Sequence, residues 1–285
     1  NTDGNNTDND NQNGDNDGNH DVFHTVFVED GTWTDCVNCP EVAKTIHDLY
    51  ESGEYRFYYV SMVDDYSKAS DHLRDDYNIL GFPTIFIDGG YEVIMGSKNF
   101  EAVFKNKISS ALSRQTPDVM LNVTAELNEA NNQINVKVSM KNYEQDTYTG
   151  RLKVYLTEIN SKNWQDYSGK PYHYDFIDYI IDKEITVNSE TTSSEEKKWD
   201  ISNLDPDNLM VIAVLFNTKS RKMYSDPPDN TKIFDAYYAD QTAGTLVVEG
   251  GNLPPEVGFT LPKKARLHLF GNPRRATPFG NTLIL

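Results

Sequence analysis

The stretch from Val22 to Pro40, VFHTVFVEDGTWTDCVNCP, is central to any prediction of the fold. Its apolar first half predicts a strand that ends near Asp30, and the two cysteines of the chain, Cys36 and Cys39, follow shortly after it. A Cys-x-x-Cys pair at the start of a helix that follows a strand is suited to dithiol chemistry, because the first sulfur lies near exposed backbone amides.

Helix and strand patterns alternate from residue 22 to about residue 115. Apolar residues at helical spacing follow the cysteines, a short aromatic and β-branched run follows the helix, and Gly89-Gly90 separates two later strand-like segments. The predicted order is β-α-β-α-β-β-α. The segments that carry it are Val42–Tyr50, Arg56–Val63, Ala69–Tyr77, Thr84–Asp88, Tyr91–Met95 and Phe100–Leu112.

Two further features accompany the cysteines. Phe82, Pro83 and Thr84 precede the third strand, and a cis Pro83 would bring this loop against the sulfurs and leave backbone groups free for an extended substrate. Asp30 ends the first strand, where a half-buried carboxylate could accept the proton of the resolving thiol, although it could equally be a solvated strand end.

Residues 22–115 resemble a thioredoxin-fold domain in element order, in the Cys-Val-Asn-Cys motif and in the Phe-Pro-Thr segment. The resemblance implies that Cys36 attacks, that Cys39 resolves the mixed disulfide and that Pro83 is cis. One departure concerns Asp35, which stands where the family usually has an aromatic residue, with Trp33 two positions earlier. A carboxylate there opposes formation of the Cys36 thiolate.

The periodicity changes to two after Pro117. Leu121 to Leu127 and Ile134 to Met140 alternate with polar residues around an Asn131-Asn132 turn, which predicts an antiparallel hairpin with one wet face. Further strand-like runs predict an Ig-like or fibronectin type III-like β-sandwich over residues 116–242. The aromatic insertion at 160–178 is interpreted as a cover over an open sheet edge, with a binding loop as the alternative.

The two ends of the chain differ from the rest. Residues 1–21 are rich in Asn and Asp, which predicts a disordered acidic linker, with a weak calcium site around Asp15 and Asp21 as the alternative. Residues 243–285 contain a Gly- and Pro-rich linker and are interpreted as the start of an incomplete β-domain. An anchor upstream or downstream of the chain is compatible with this arrangement.

Charge and hydropathy exclude several classes of function. The formal net charge is −18, so a nucleic-acid partner is not expected. The longest apolar run, Leu209 to Phe216, is shorter than the roughly 18 to 20 residues of a transmembrane helix. Zinc requires four ligands and only His24 and His47 lie near the cysteines, so no metal and no cofactor is expected.

The leading hypothesis is an extracytoplasmic thiol-disulfide oxidoreductase, secreted or at the cell surface, that acts on protein thiols and disulfides with an unidentified redox partner. Its predicted catalytic residues are Cys36, Cys39, Pro83 and Asp30, and its predicted substrate-binding residues are Trp33, Phe82 and Thr84. The alternative is a cell-surface binding or structural protein that uses a redox-inactive thioredoxin-like scaffold. The predicted fold class is an α/β thioredoxin-like domain followed by an all-β Ig-like sandwich.

Overall fold

The structure is a computed structural model that describes residues 22–96 and 98–249. The predicted linker at 1–21, with its calcium alternative, lies outside the described residues, as does the predicted β-domain at 243–285 except for residues 243–249. Three α-helices lie within the described ranges, namely α1 (Cys39–Ser52), α2 (Ser67–Asp75) and α3 (Phe100–Leu112). The strands of the same ranges are β1 (Val26–Thr32), β2 (Phe57–Val63), β3 (Thr84–Ile87), β4 (Glu92–Met95), β5 (Val119–Asn128), β6 (Gln133–Asn142), β7 (Tyr148–Gln165), β8 (Pro171–Val187), β9 (Thr192–Asp200), β10 (Leu209–Asp226), β11 (Thr231–Leu246) and β12 (Val248–Glu249).

Eight of these strands form one continuous sheet in the order β4-β3-β1-β2-β8-β7-β10-β11. β1 and β2 are parallel and buried along their whole length, as their apolar composition predicts for strands covered on both faces. β7, β8, β10 and β11 are long and antiparallel, so most of the described chain is β-strand.

The contact between β2 and β8 joins the two halves of this sheet. Ser61 pairs with Asp175 in a parallel bridge, and its hydroxyl donates to the backbone oxygen of His173 at 2.8 Å. The hydroxyl of Tyr66 donates to the backbone oxygen of Ile177 at 3.0 Å. The strands of the α/β segment and those of the β-rich segment therefore belong to the same hydrogen-bonded sheet.

The two ends of the eight-stranded sheet also approach each other. The backbone N–H of Ala239 in β11 donates to the oxygen of Asp88 in the β3–β4 turn at 3.1 Å. Gly89 follows with a φ of +65°, and a Cβ atom there would lie 2.1 Å from the backbone oxygen of Tyr237. Glycine is required at this point by both the backbone conformation and the close approach, and the sheet is curled as a result.

A second sheet, of order β12-β5-β6-β9, packs against the β-rich half of the first. The alternating residues of β5 and β6 supply its buried face, and the β5–β6 hairpin is as the sequence predicts. A larger aromatic core lies in the remainder of the molecule and combines residues of both halves, among them Phe27, Phe86, Tyr155 and Phe234.

Helix α1 carries the cysteine motif into this core. Pro40 occupies the first turn, where a missing N–H is tolerated, and Gly53 ends the helix in the left-handed conformation. Val42, Ile46 and Tyr50 form part of its buried stripe. The predicted helix after the cysteines is confirmed.

The predicted fold class, an α/β thioredoxin-like domain followed by an all-β Ig-like sandwich, is wrong. The element order from β1 to α3 is as predicted, but the chain is mostly β and its long strands extend the same sheet instead of forming a separate sandwich. The boundary at 115/116 divides the chain in sequence but not the sheet, and β11 runs past the boundary at 242. Periodicity identifies single strands, whereas the pairing of β2 with β8 depends on register between distant segments.

Candidate functional site

The candidate site is the surface around the two cysteines, at the loop between β1 and α1. Cys36 and Cys39 form a disulfide with their Cα atoms 5.4 Å apart. The backbone N–H of Cys36 donates to the oxygen of Trp33, and that of Cys39 donates to the oxygen of Cys36. Cys36 is 8% exposed and Cys39 is 1% exposed. The bond therefore closes a tight turn, with Cys36 as its more accessible sulfur.

Apolar side chains surround this turn and face the solvent. Val37 is 67% exposed, Leu80 is 46% exposed and Trp33 is 39% exposed. The rings of Trp33 and Phe82 lie 6.5 Å apart, and these four residues line an open depression of about 550 Å³ beside the disulfide. We call Trp33, Val37, Leu80 and Phe82, with the disulfide between them, the disulfide face.

The segment before β3 forms one wall of the disulfide face. The Phe82–Pro83 peptide bond is cis, as predicted, and a catalytic role of Pro83 stays a prediction. No described residue forms a hydrogen bond with the backbone of Phe82. Thr84 is fully buried and its hydroxyl donates to the oxygen of Gly81 at 2.7 Å, so this side chain supports the loop from inside. Of the three predicted binding residues, Trp33 and Phe82 reach the surface.

Asp30 lies within β1, six positions before Cys36 in the sequence. It is 1% exposed, and neither of its carboxylate oxygens accepts a hydrogen bond from a described residue. Burial raises the pKa of Asp30 to about 7, because removal from water disfavours the ionised form. The side chain is therefore a buried titratable group, not the solvated strand end considered from the sequence, and its role in proton transfer stays a prediction.

Tyr172 is a supporting residue that the sequence did not single out for this site. Its hydroxyl accepts a hydrogen bond from the Thr32 hydroxyl at 3.0 Å and donates to the backbone oxygen of Trp33 at 3.1 Å. Strand β8 thus holds the start of the cysteine loop from the β-rich half of the chain. The aromatic insertion does not cover the open edge of a separate sandwich, because its second part lies in β8, which pairs with β2 in the eight-stranded sheet. The alternation of Tyr172, Tyr174 and Phe176 is the signal that marks its buried face.

The arrangement offers an apolar contact surface with a free backbone segment. Among residues 22–96 and 98–249, no cluster of three or more His, Cys, Asp or Glu side chains is arranged to hold a metal ion. Within the same ranges, no helix has the length and apolar character needed to span a bilayer.

Comparison with known proteins identifies the class of protein. The family model for the outer membrane protein Omp28 matches residues 70–225, and the chain belongs to this family. The predicted extracytoplasmic location is confirmed. The matched residues begin in α2 and do not include Cys36 or Cys39. No curated protein matches the chain significantly.

Solved structures resemble the fold. HBP35 of Porphyromonas gingivalis has a TM-score of 0.60 at 15% identity, over 85% of this chain and 81% of that one. The protein AGR_C_4864 from Agrobacterium tumefaciens has a TM-score of 0.48 at 11% identity, over 83% of this chain and 99% of that one. At these identities the likeness to HBP35 concerns the fold alone.

These findings correct the functional interpretation of the sequence. The resemblance to a thioredoxin-fold protein is overturned by the Omp28 family match and by the mostly β structure. The description of Cys36 and Cys39 as the redox-active centre of an oxidoreductase finds no support in these comparisons. The alternative, an extracytoplasmic surface protein of binding or structural type, is better supported.

Proposed function

We propose that this protein is a cell-surface binding protein and that the disulfide face is its recognition surface. The observation that carries the proposal is the exposure of Trp33, Val37 and Leu80 around a closed, nearly buried disulfide. Exposed aromatic and aliphatic side chains grouped around a depression are typical of protein-protein contacts, in which tryptophan contributes strongly. The disulfide acts here as a staple that fixes the loop.

The partner that fits this surface is an extended, partly apolar polypeptide segment. The Phe82 backbone can pair with such a segment, while the neighbouring side chains accept its apolar residues. Recognition of this kind does not require exchange of the disulfide. The buried position of Cys39 agrees with a structural role.

A cysteine-free displayed peptide library tests the proposal, because its members cannot exchange disulfides. Enriched peptides are measured against the intact protein by fluorescence anisotropy. Trp33→Ala should weaken their binding by about tenfold or more. Met120→Ala is the matched control, because Met120 is also 39% exposed but lies on the four-stranded sheet, and it should leave binding unchanged.

The same protein is assayed for insulin disulfide reduction. The proposal expects no turnover by the wild type, and peptide binding that persists under oxidising conditions. Equal binding by the wild type and Trp33→Ala would contradict the recognition surface. Catalysed reduction of insulin that is lost in Cys36→Ser would contradict the structural role of the disulfide.

A further inference from the structure

A second cleft lies away from the disulfide face, between α2, the β3–β4 turn and the distal parts of β7, β8, β10 and β11. Its volume is about 460 Å³, which is within the range of small-molecule sites. Phe216 and Phe234 are buried at its base, whereas Ile233 and Tyr237 on β11 are 49% and 47% exposed at its rim. The cleft therefore combines an apolar floor with an accessible aromatic ring.

Every lysine, arginine and histidine that lines the cleft is in an ion pair. Lys153 lies 3.2 Å from Asp76, and Lys222 lies 2.8 Å from Asp235. Arg151 makes two hydrogen bonds to Asp182. Each of these cations therefore already has a carboxylate partner, which a phosphate or carboxylate ligand would have to displace.

His72, on the inner wall of the cleft, also contacts carboxylates. Its ring nitrogens lie 2.8 Å from Glu29 and 2.7 Å from Asp76. Burial opposes the charged form of His72, but the two carboxylates outweigh burial and raise the pKa of the imidazole. The imidazole is thus held between two carboxylates and contributes a fixed wall to the cleft.

The other polar groups that line the cleft can form hydrogen bonds with the hydroxyl groups of a ligand. The carboxylates of Asp75 and Glu184 line the cleft and are exposed, and Thr218 adds a hydroxyl group. The amide of Asn217 already donates to Asp240 and accepts from the backbone N–H of Lys219. Exposed carboxylates attract a cation only weakly because solvent and salt screen them, whereas they accept hydrogen bonds from hydroxyls at any salt concentration. An exposed tyrosine ring next to such acceptors can stack on the C–H face of a pyranose.

We infer that this cleft binds a neutral oligosaccharide, with Tyr237 as the stacking platform and Asp75 and Glu184 as hydroxyl acceptors. The carboxylate partners of the cations disfavour an anionic ligand, and solvent and salt screen the exposed carboxylates from a cationic one. The inference concerns a different surface from the disulfide face and does not depend on the function proposed for it.

Isothermal titration of the intact chain tests this inference. The neutral probes are maltohexaose, cellohexaose and chitohexaose, and the charged probes are hexagalacturonic acid and the glucosamine hexamer. At least one neutral hexamer should bind in preference to both charged ones. Its Kd should change by less than about twofold between about 50 and about 500 mM NaCl, because no net charge is neutralised on binding.

Three variants locate the binding in the cleft. Tyr237→Ala should raise the Kd by about tenfold or more, whereas Tyr237→Phe, which keeps the ring, should change it by less than about threefold. Glu184→Ala, on a different strand, should also raise the Kd. Tyr167→Ala is the control, because Tyr167 is 59% exposed in the β7–β8 turn and does not line the cleft. Thermal unfolding verifies that each variant is folded.

The inference would be overturned by any of three results. These are the absence of binding by all neutral hexamers, a preference for a charged hexamer, and binding that Tyr237→Ala and Glu184→Ala both leave unchanged.

Discussion

Asp30 is the residue at which burial has the clearest consequence for stability. Its pKa is about 7 in the folded protein and close to 3.8 in an unfolded chain. Between these values the unfolded state loses its proton before the folded state does, so the free energy of unfolding falls as the pH rises from about 4 to about 7. A pKa difference of this size corresponds to about 4 kcal/mol at most.

Asp30→Asn should remove this dependence. The difference in the free energy of unfolding between the variant and the wild type should shift in favour of the variant as the pH rises from about 4 to about 7, and should be constant above that range. Urea unfolding at a series of pH values measures it. Asp35→Asn, an exposed substitution of the same charge, controls for net charge. If the free energies of unfolding of Asp30→Asn and the wild type changed in parallel with pH, Asp30 would titrate normally.

At the residue scale, the sequence predicts the side chains that belong to local motifs and misses those supplied from a distance. Cys36 and Cys39 pair within their motif, Pro83 is cis, and Cys36 and Phe82 line the same depression. Tyr172 contacts the loop of Trp33 across 139 positions of sequence, and no local pattern specifies that contact. The burial of Thr84 has a similar cause, because it depends on β3 lying between β1 and β4.

At the scale of elements, a buried ionic cluster joins α3, the β3–β4 turn and β11. Arg114 follows α3 and lies 3.2 Å from Asp88 and 3.7 Å from Asp240, both of which are almost completely buried. His24 contacts Asp88 at 2.7 Å, and Tyr148 donates to Asp240 at 3.1 Å. The cluster lies where the curled sheet brings its two ends together.

Arg114→Met should therefore destabilise the protein by about 3 to 5 kcal/mol, because it leaves buried carboxylates without their cation. Equilibrium unfolding in urea measures the loss. Arg74→Met is the matched control, because Arg74 pairs with Asp64 at 3.3 Å on the surface with 64% of its side chain exposed. That substitution should change the free energy of unfolding by less than about 1 kcal/mol. Similar losses in the free energy of unfolding in both variants would mean that the buried cluster stabilises the protein no more than the exposed pair of Arg74 and Asp64 does.

Helices and strands can be predicted from the sequence where apolar residues keep one spacing along the whole element. The alternation of β5 and β6 and the helical stripe of α1 identify their structure directly. The long strands β7 and β8 are harder, because polar residues interrupt the alternation and the pairing has register shifts, for example between Val154 and Tyr155. A β-bulge changes which side chains face the core, so a prediction from periodicity alone makes such strands too short.

At the scale of the whole molecule, one continuous sheet contains strands from both halves of the chain. The aromatic core contains Phe27 and Phe86 from the α/β half together with Tyr155, Met210 and Phe234 from the β-rich half. The division into a domain at 22–115 and another at 116–242 stays a prediction from the sequence, and cooperativity of unfolding distinguishes it from a single unit.

Two tryptophans provide probes for this test. Trp33 lies in the disulfide face, and Trp199 packs on the core under the four-stranded sheet. A Trp164→Phe/Trp199→Phe variant reports on the first site, and a Trp33→Phe/Trp164→Phe variant reports on the second. Each variant is unfolded in urea with the disulfide intact, and its fluorescence transition is compared with its own far-ultraviolet circular dichroism transition.

A shared core predicts that both probes follow the loss of β-structure in one transition. In each variant the fluorescence and dichroism midpoints should agree within about 0.3 M urea, because exposing either half exposes the core that the other half requires. Comparison within one variant removes the effect of the substitutions on stability. The contrary result is a Trp33 fluorescence transition clearly separated from the dichroism transition, while the Trp199 transition follows the dichroism. It would show that the α/β segment unfolds independently and that the β2–β8 pairing contributes little to the free energy of unfolding.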